Sequence, residues 1–261
     1  MTIKRRNHGS GHSYVEVDAD GNETKVPGVT TLLGDALPKQ ALQSWYAKMA
    51  AEEAVNNWDE LAGLPIGARY ERIYKAPWNA MSEAGVRGTE VHGLAERLSA
   101  GEEVDVPDHL AAYVDSCVKF LDEWQAVPVV TERPVINRAV GYAGTFDAVM
   151  EMTRCTWLLD WKTGKGVYAD STLQLVAYAR AEHYLDEQGV EQPMRELGIT
   201  RAGIVHIRPD GYDVYETDIS EVAWLACRHA MWMGRLLHRE KGRSGWRSGL
   251  DDFLLGRRSA S

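Results

Sequence analysis

The sequence predicts an α/β fold, and the order of its apolar patterns along 261 residues leads to that prediction. Three strand patterns follow one another, which is typical of an antiparallel meander. Amphipathic helical patterns flank them, and a further strand pair and a long helix follow. We expect strands at 127–136, 141–152, 155–163 and 202–219, with helices at 82–101, 107–126, 169–189 and 220–242. This order of helix, three-stranded meander, helix and further strand favours one sheet covered by helices.

The N-terminal region predicts a hairpin followed by helices. Residues 12–29 alternate in polarity and turn at Asp20-Gly21-Asn22, a typical hairpin signal. Thr30 and Thr31 are candidate caps for the helix expected at 37–58, and Pro38 fits its first turn. A shorter helix is expected at 63–78, separate from the helix at 82–101 that Gly101 ends. These elements are additions in front of the sheet.

We expect a single domain over residues 1–261. Its parts are N-terminal hairpin and helices at 1–82, a core at 83–218, and a C-terminal helix and basic tail at 219–261. No apolar run is long enough to span a membrane, and no signal-peptide pattern occurs, so we expect a cytoplasmic protein without membrane contact. The net charge of −9 argues against broad attraction to nucleic acid, although the tail from Arg228 to Arg258 is basic. A solvated helix face explains that run equally well.

Cysteine usage argues against a metal–sulfur site. Cys117, Cys155 and Cys227 are far apart, and no C-x-x-C pair is present. A disulfide framework is therefore not expected, and an iron–sulfur cluster, which is usually held by four thiolates, is not expected either.

Two aspartates and a lysine stand on strands that otherwise look buried. Side chains alternate along a strand, so Asp160 and Lys162 share one face, and a hairpin through residues 152–154 brings Asp147 beside Asp160. Two close carboxylates repel each other unless a cation or proton lies between them. A hard divalent cation suits such a pair, and Lys162 would face the same water, an arrangement that serves attack on a phosphodiester. A structural ion pair of Asp160 with Lys162 is the alternative.

Further polar residues lie at spacings that fit the same site. Gln174 and Tyr178 are four residues apart on the next helix, hence on one face of it, although plain surface and core roles explain them too. His92 lies on the helix before the meander and is a natural third ligand, whereas a lone histidine is more often a half-buried structural residue. Glu132, on the first strand of the meander, is a candidate for another carboxylate of the site, although a solvated strand residue is the favoured interpretation.

The order of these motifs resembles the RecB-like branch of the PD-(D/E)XK nucleases. The likeness covers about residues 83–185, and residues 26–45 are similar to the N-terminal segment of phage-encoded members. The matching motifs are G-T-x-x-H (Gly88, Thr89, His92), G-x-x-D (Gly144, Asp147), D-x-K (Asp160, Lys162) and Q-x-x-x-Y (Gln174, Tyr178). The resemblance implies a restriction-endonuclease-like core and Mg²⁺- or Mn²⁺-dependent DNA cleavage.

The resemblance also implies a role for each matching residue. His92, Asp147 and Asp160 become metal ligands, and the carbonyl of Trp161 adds a backbone oxygen. Lys162 becomes the catalytic lysine, while Gln174 and Tyr178 support the site or the DNA strand. The chain departs from the iron–sulfur members of the branch, since it lacks their four cysteines, and it has no G-x-x-x-x-G-K-[ST] loop for ATP-driven unwinding.

We therefore expect a phage-type exonuclease of DNA recombination or replication. Its expected partners are DNA and a single-strand-annealing recombinase or another replication protein, in the cytoplasm of a bacterial host. The large flanking segments are expected to wall the cleft, which favours DNA ends. An endonuclease or nickase with the same chemistry is one alternative, and a non-catalytic DNA- or protein-binding module is the other.

Overall fold

The protein has an α/β fold, as the sequence predicts. We describe it from a computed structural model, which describes residues 2–8, 11–99 and 101–238. The basic tail beyond residue 238 lies outside the described residues. The strands are β1 (Thr2–His8), β2 (Gly11–Val17), β3 (Glu23–Val26), β4 (Val127–Asn137), β5 (Tyr142–Met152), β6 (Cys155–Lys162), β7 (His183–Leu185), β8 (Glu191–Pro193), β9 (Arg201–Arg208) and β10 (Gly211–Thr217).

Helices stand before, between and after these strands. They are α1 (Val29–Ala36), α2 (Gln40–Asn56), α3 (Trp58–Ala62), α4 (Ile66–Ser99), α5 (Ala111–Trp124), α6 (Ala169–Ala179) and α7 (Glu221–His238). Short 3₁₀ turns at Asp108–Leu110 and Met194–Leu197 complete the regular structure of the described residues.

The larger sheet has the strand order β10-β9-β6-β5-β4-β7-β8. The predicted meander β4-β5-β6 is antiparallel and lies at its centre. Thr153 and Arg154 form the β5–β6 turn, both with positive φ, which is the conformation that two-residue hairpins favour. After α6 and the short strands β7 and β8, the chain returns as β9, which pairs parallel to β6. Strand β10 then pairs antiparallel to β9, as the strand pair predicted at 202–219 requires.

Alternation along β6 divides the core into two layers. Leu158 packs in one layer with residues of α1, α6 and α7, including Leu32, Val176 and Met231. Trp157, Leu159 and Trp161 pack in the other layer, with Phe120 of α5. Since both faces of β6 are buried, any charged group placed on this strand loses most of its hydration.

The N-terminal region is a three-stranded sheet rather than the predicted hairpin alone. The expected hairpin is present as β2 and β3, and β1 adds a third antiparallel strand for which the sequence analysis has no prediction. Ile3 and Tyr14 of this sheet are buried against Ile136 and Ala143 of the β4–β5 hairpin. The small sheet is therefore packed onto the larger one.

Three helix boundaries differ from the prediction. Thr30 and Thr31 lie inside α1, whose N-cap is Gly28, instead of capping a later helix. The two helices expected at 63–78 and 82–101 are one helix, α4, which continues through Pro77 despite the hydrogen bond that proline removes. The helix expected at 169–189 ends at Ala179, because residues beyond it form the short strands β7 and β8.

A glycine permits the close contact between α1 and α7. A Cβ at Gly234 would lie 1.9 Å from the carbonyl oxygen of Leu32, so only glycine fits this crossing. Buried Leu32 and Leu33 of α1 fill the same layer as Met231 of α7.

By internal contacts the chain divides into two compact units. One unit comprises residues 1–37 and 92–261, and the other comprises Pro38–Val91. The boundaries expected at 82/83 and 218/219 stay predictions.

Within the smaller unit, Arg72 pairs with Glu53 and Glu60, and the exposed rings of Tyr70, Tyr74 and Trp78 follow one another along α4. Among the helices that the structure describes, none combines the length and apolarity needed to cross a bilayer.

Candidate active site

The β5–β6 hairpin places Asp147 next to β6 just where the two strands separate. The last register pair is Ala148 with Leu159, one position before Asp147 and Asp160 would meet. There the Asp147 carboxylate replaces a backbone partner, since its Oδ2 accepts a hydrogen bond of 2.8 Å from the Trp161 N–H. The predicted proximity of Asp147 to β6 is therefore present, with the carboxylate itself holding the strands at this point.

Asp147 and two neighbouring side chains form a group of three that we call the metal cluster: His92, Glu132 and Asp147. Each offers one ligand atom, and these atoms lie within 4.8 Å of one another. Nδ1 of His92 is 3.6 Å from Oδ2 of Asp147. The three residues come from α4, β4 and β5, and their partial exposure leaves the group open to solvent.

Glu132 is the member that sequence reasoning undervalued. The sequence favours a solvated strand residue over a further carboxylate of the site, yet the backbone of Glu132 has φ of 49° in the middle of β4. The other non-glycine residues with positive φ, among those described, are a helix end (Gln125) and a hairpin turn (Thr153 and Arg154), where that conformation is ordinary. Such backbone strain within a strand is found mainly at functional sites. A lone carboxylate in the apolar run 127–136 was the available sequence signal.

The neighbouring carboxylates and burial change the pKa of Glu132. Burial, then the charges of Asp147 and Glu96, raise the pKa of Glu132 to about 8. Like charges held together disfavour ionisation of one member, and a divalent cation between them removes that penalty. The metal cluster thus has the electrostatics of a cation site.

The second group, which we call the lysine network, consists of Asp160, Lys162, Gln174 and Tyr178. Asp160 is 1% exposed and forms an ion pair with Lys162 through Oδ2. Its other oxygen, Oδ1, accepts a hydrogen bond of 3.3 Å from Nε2 of Gln174, which also donates to the Tyr178 hydroxyl at 3.0 Å. The four residues predicted from β6 and α6 are therefore brought together.

Electrostatics within the lysine network follow from its burial. Burial and the charge of Asp147 raise the pKa of Asp160, while Lys162 opposes that shift. Burial alone would lower the pKa of Lys162, but the carboxylates of Asp160 and Asp147 outweigh it and raise the pKa. Lys162 is therefore held as an ammonium group at neutral pH.

Gly144 of the G-x-x-D motif has a steric role. A Cβ at this position would lie 2.2 Å from Cε1 of Tyr178. Any larger residue would push the Tyr178 ring from its buried place, and with it the hydroxyl to which Gln174 donates. The motif therefore combines a carboxylate with the space for a supporting tyrosine.

The structure brings only part of the predicted ligand set together. His92 and Asp147 are joined by Glu132, whereas Asp160 lies outside this group and is engaged by Lys162 and Gln174. The Trp161 side chain is buried in the core, its N–H is used by Asp147, and the role of its carbonyl stays a prediction. Thr89 of the helical motif hydrogen-bonds to the Gly85 carbonyl of its own helix.

The residues present fit a hard divalent cation. Two carboxylates and a neutral imidazole form a donor set that Mg²⁺ or Mn²⁺ accepts. The three thiols lie elsewhere: Cys117 and Cys227 are buried in opposite layers of the core, and Cys155 is at the β5–β6 turn. The expectation of no iron–sulfur cluster stays a prediction.

Comparisons with known proteins do not assign the chain to a family. No family model matches the chain, and no curated protein matches it. Among solved structures, one match is the crystal structure of SSO0001, at 16% identity and a TM-score of 0.34, covering 87% of this chain and 82% of that one. A likeness at this level supports no conclusion about function.

Proposed function

We propose that this protein is a metal-dependent deoxyribonuclease of the RecB-like PD-(D/E)XK type, acting as an exonuclease in phage-type recombination or replication. One observation supports the proposal most: the partly exposed metal cluster adjoins the ion pair of the buried Asp160 with the partly exposed Lys162. A purely structural ion pair has no need of three further ligand side chains beside it. The cytoplasmic location and the recombinase partner stay predictions.

The topology supports a restriction-endonuclease-like core. The chain runs through α4 and α5, the meander β4-β5-β6 and helix α6, and after the short strands β7 and β8 it forms β9 parallel to β6. This is the helix, meander, helix and strand order that the resemblance implies. It puts Asp147 at the point where β5 leaves β6, with Lys162 at the end of β6.

His92, Glu132 and Asp147 would hold Mg²⁺ or Mn²⁺. When bound, the cation would offset charge on phosphate oxygens and favour ionisation of water. Asp160 would orient Lys162, with which it forms an ion pair, and its role as a metal ligand stays a prediction. Lys162, an ammonium group, would donate hydrogen bonds to the attacking water or to the phosphate.

Gln174 and Tyr178 would act by fixing Asp160. Gln174 donates to both Asp160 and Tyr178, so the amide orientation is determined by two acceptors. Burial of Tyr178 in the core makes this support rigid. The carboxylate that holds Lys162 is therefore constrained before any substrate arrives.

The proposal is tested by digestion of one plasmid in linear and closed circular form, with 5′- and 3′-labelled ends, in Mg²⁺ and in EDTA. We expect Mg²⁺-dependent release of nucleotides from linear DNA and little loss of closed circles. Equal cleavage of both forms would make the protein an endonuclease or nickase. No cleavage of either form, with DNA binding retained, would indicate a non-catalytic module.

A further inference from the structure

We propose that Arg5, on the N-terminal strand β1, binds a backbone phosphate of the DNA beside the metal cluster. The inference rests on the nuclease function proposed above and adds to it a residue from outside the predicted core. No sequence motif includes Arg5, which precedes the hairpin predicted at residues 12–29.

The position of Arg5 is the first support. Its Nη1 lies 3.8 Å from Oε2 of Glu132, which places the guanidinium at the edge of the metal cluster. That distance is longer than a hydrogen bond, so the two groups attract each other without using up the N–H donors of the arginine. Within the residues that the structure describes, the Arg5 guanidinium donates no hydrogen bond. Its five N–H groups are therefore available to a ligand.

The strand that presents Arg5 is firmly held. Arg5 pairs in register with Tyr14 of β2, whose hydroxyl is 2.8 Å from the Thr145 Oγ1, two residues before Asp147. Ile3, on the same face of β1, is 1% exposed, and its backbone N–H donates to Glu191. A charged group on a packed strand is better positioned than one on a loose N-terminal arm.

The charge of the site supplies the third support. Glu132, Asp147 and Asp160 together with Lys162 have a formal charge of −2, which a divalent cation would neutralise. A DNA phosphate then adds one negative charge that nothing in this set balances. Arg5 balances it, and the planar guanidinium fits two phosphate oxygens at once.

The test compares Arg5→Ala with Arg6→Ala. Arg6 is the next residue on β1, has the same charge and pairs with Glu23, so its loss controls for a missing positive charge on this strand. DNA affinity is measured against salt concentration with Ca²⁺ in place of Mg²⁺, and kcat and KM are measured with Mg²⁺.

We expect Arg5→Ala to lower kcat/KM about ten- to hundredfold and to reduce the slope of log affinity against log salt by about one. Arg5→Lys should recover the salt slope and only part of the rate, since lysine lacks the paired donors. Arg6→Ala should match the wild type in both measurements.

Two results would overturn the proposal for Arg5 alone. The first is wild-type cleavage with Arg5→Ala indistinguishable from Arg6→Ala. The second is an Arg5→Ala variant with altered stability and Mn²⁺ affinity but an unchanged salt slope, which would make Arg5 only a counter-ion of Glu132. A wild-type protein that neither binds nor cleaves DNA would overturn the nuclease function together with the role of Arg5.

Discussion

The metal cluster and the lysine network lie side by side but differ in burial and in origin. The side chains of the metal cluster are all partly exposed, whereas the lysine network contains the buried side chains of Asp160 and Tyr178, and its Lys162 is 28% exposed. The metal cluster draws one residue from each of α4, β4 and β5, while the lysine network comes from β6 and the adjoining helix α6.

This difference indicates that the two groups have different roles, one in binding a cation and the other in positioning Lys162. A partly exposed, acidic group can exchange a hydrated cation with solvent and gains most from it, because its carboxylates repel one another without it. A buried, hydrogen-bonded carboxylate such as Asp160 keeps its lysine partner in one place and one protonation state. Asp147 links the two groups, since it lies beside His92, accepts a hydrogen bond from the Trp161 N–H and raises the pKa of Asp160.

The largest expected effect therefore belongs to Asp147. We expect Asp147→Ala to reduce DNA cleavage by on the order of a thousandfold and to abolish Mn²⁺ binding measured by calorimetry. Asp115→Asn, an exposed change on α5, is the control and should leave both unchanged. Normal turnover in Asp147→Ala would refute the site.

Replacement of Lys162 should separate the two groups. Lys162→Ala is expected to retain Mn²⁺ binding and to lose about a hundredfold or more in kcat, since the ammonium acts on water or phosphate and not on the cation. Lys119→Ala, which removes an exposed lysine, is the control. If Lys162→Ala loses Mn²⁺ instead, the two groups are not separate in function.

The raised pKa of Glu132 predicts how Mn²⁺ binding depends on pH. Since the carboxyl keeps its proton up to about pH 8 without a cation, Mn²⁺ affinity should rise as pH increases toward 8. Glu132→Gln should lower the affinity about tenfold and flatten this dependence. A variant with the same steep dependence as the wild type would place the titrating group elsewhere.

The same shift has a consequence for stability in the absence of metal. The folded pKa of Glu132 lies above its ordinary value of 4.5, so the folded state binds more protons between that pH and about 8. The contribution of this group is full below pH 4.5 and is lost as pH rises toward 8. Thermal melting in EDTA should show a shallower pH dependence in Glu132→Gln than in the wild type.

Gly144→Ala should give the smallest effect on chemistry and a clear effect on stability. The added Cβ meets the Tyr178 ring, and we expect a loss of about 1–3 kcal/mol in the free energy of unfolding. Gly67→Ala, on α4 with open space around its Cβ, is the control and should be neutral or stabilising. Equal urea midpoints for the two variants would show that Tyr178 is not constrained by Gly144.

Local patterns account for what the sequence predicted well. The alternation in 155–163 gave the two faces of β6, and the four-residue spacing of Gln174 and Tyr178 gave a shared helical face. Both depend on residues close in the chain, where strand and helix periods are reliable. The meander and the β9–β10 pair were predicted for the same reason.

What the sequence did not reveal depends on distant or unusual structure. The positive φ of Glu132 and the packing of β1 onto β4 and β5 arise from tertiary contacts, which no local pattern encodes. Two helices are predicted where one exists, since α4 continues through Pro77, a residue that usually destabilises a helix interior. The short strands β7 and β8 are three residues each, too few for an alternating pattern.

Anomalous scattering from crystals soaked in Mn²⁺ tests the central claim most directly, because it locates the cation itself. We predict one strong peak within coordination distance of His92, Glu132 and Asp147, absent from crystals of Asp147→Ala and still present in Lys162→Ala. A peak bound elsewhere, or no peak at these three side chains under conditions that support cleavage, would contradict the assignment of the metal cluster.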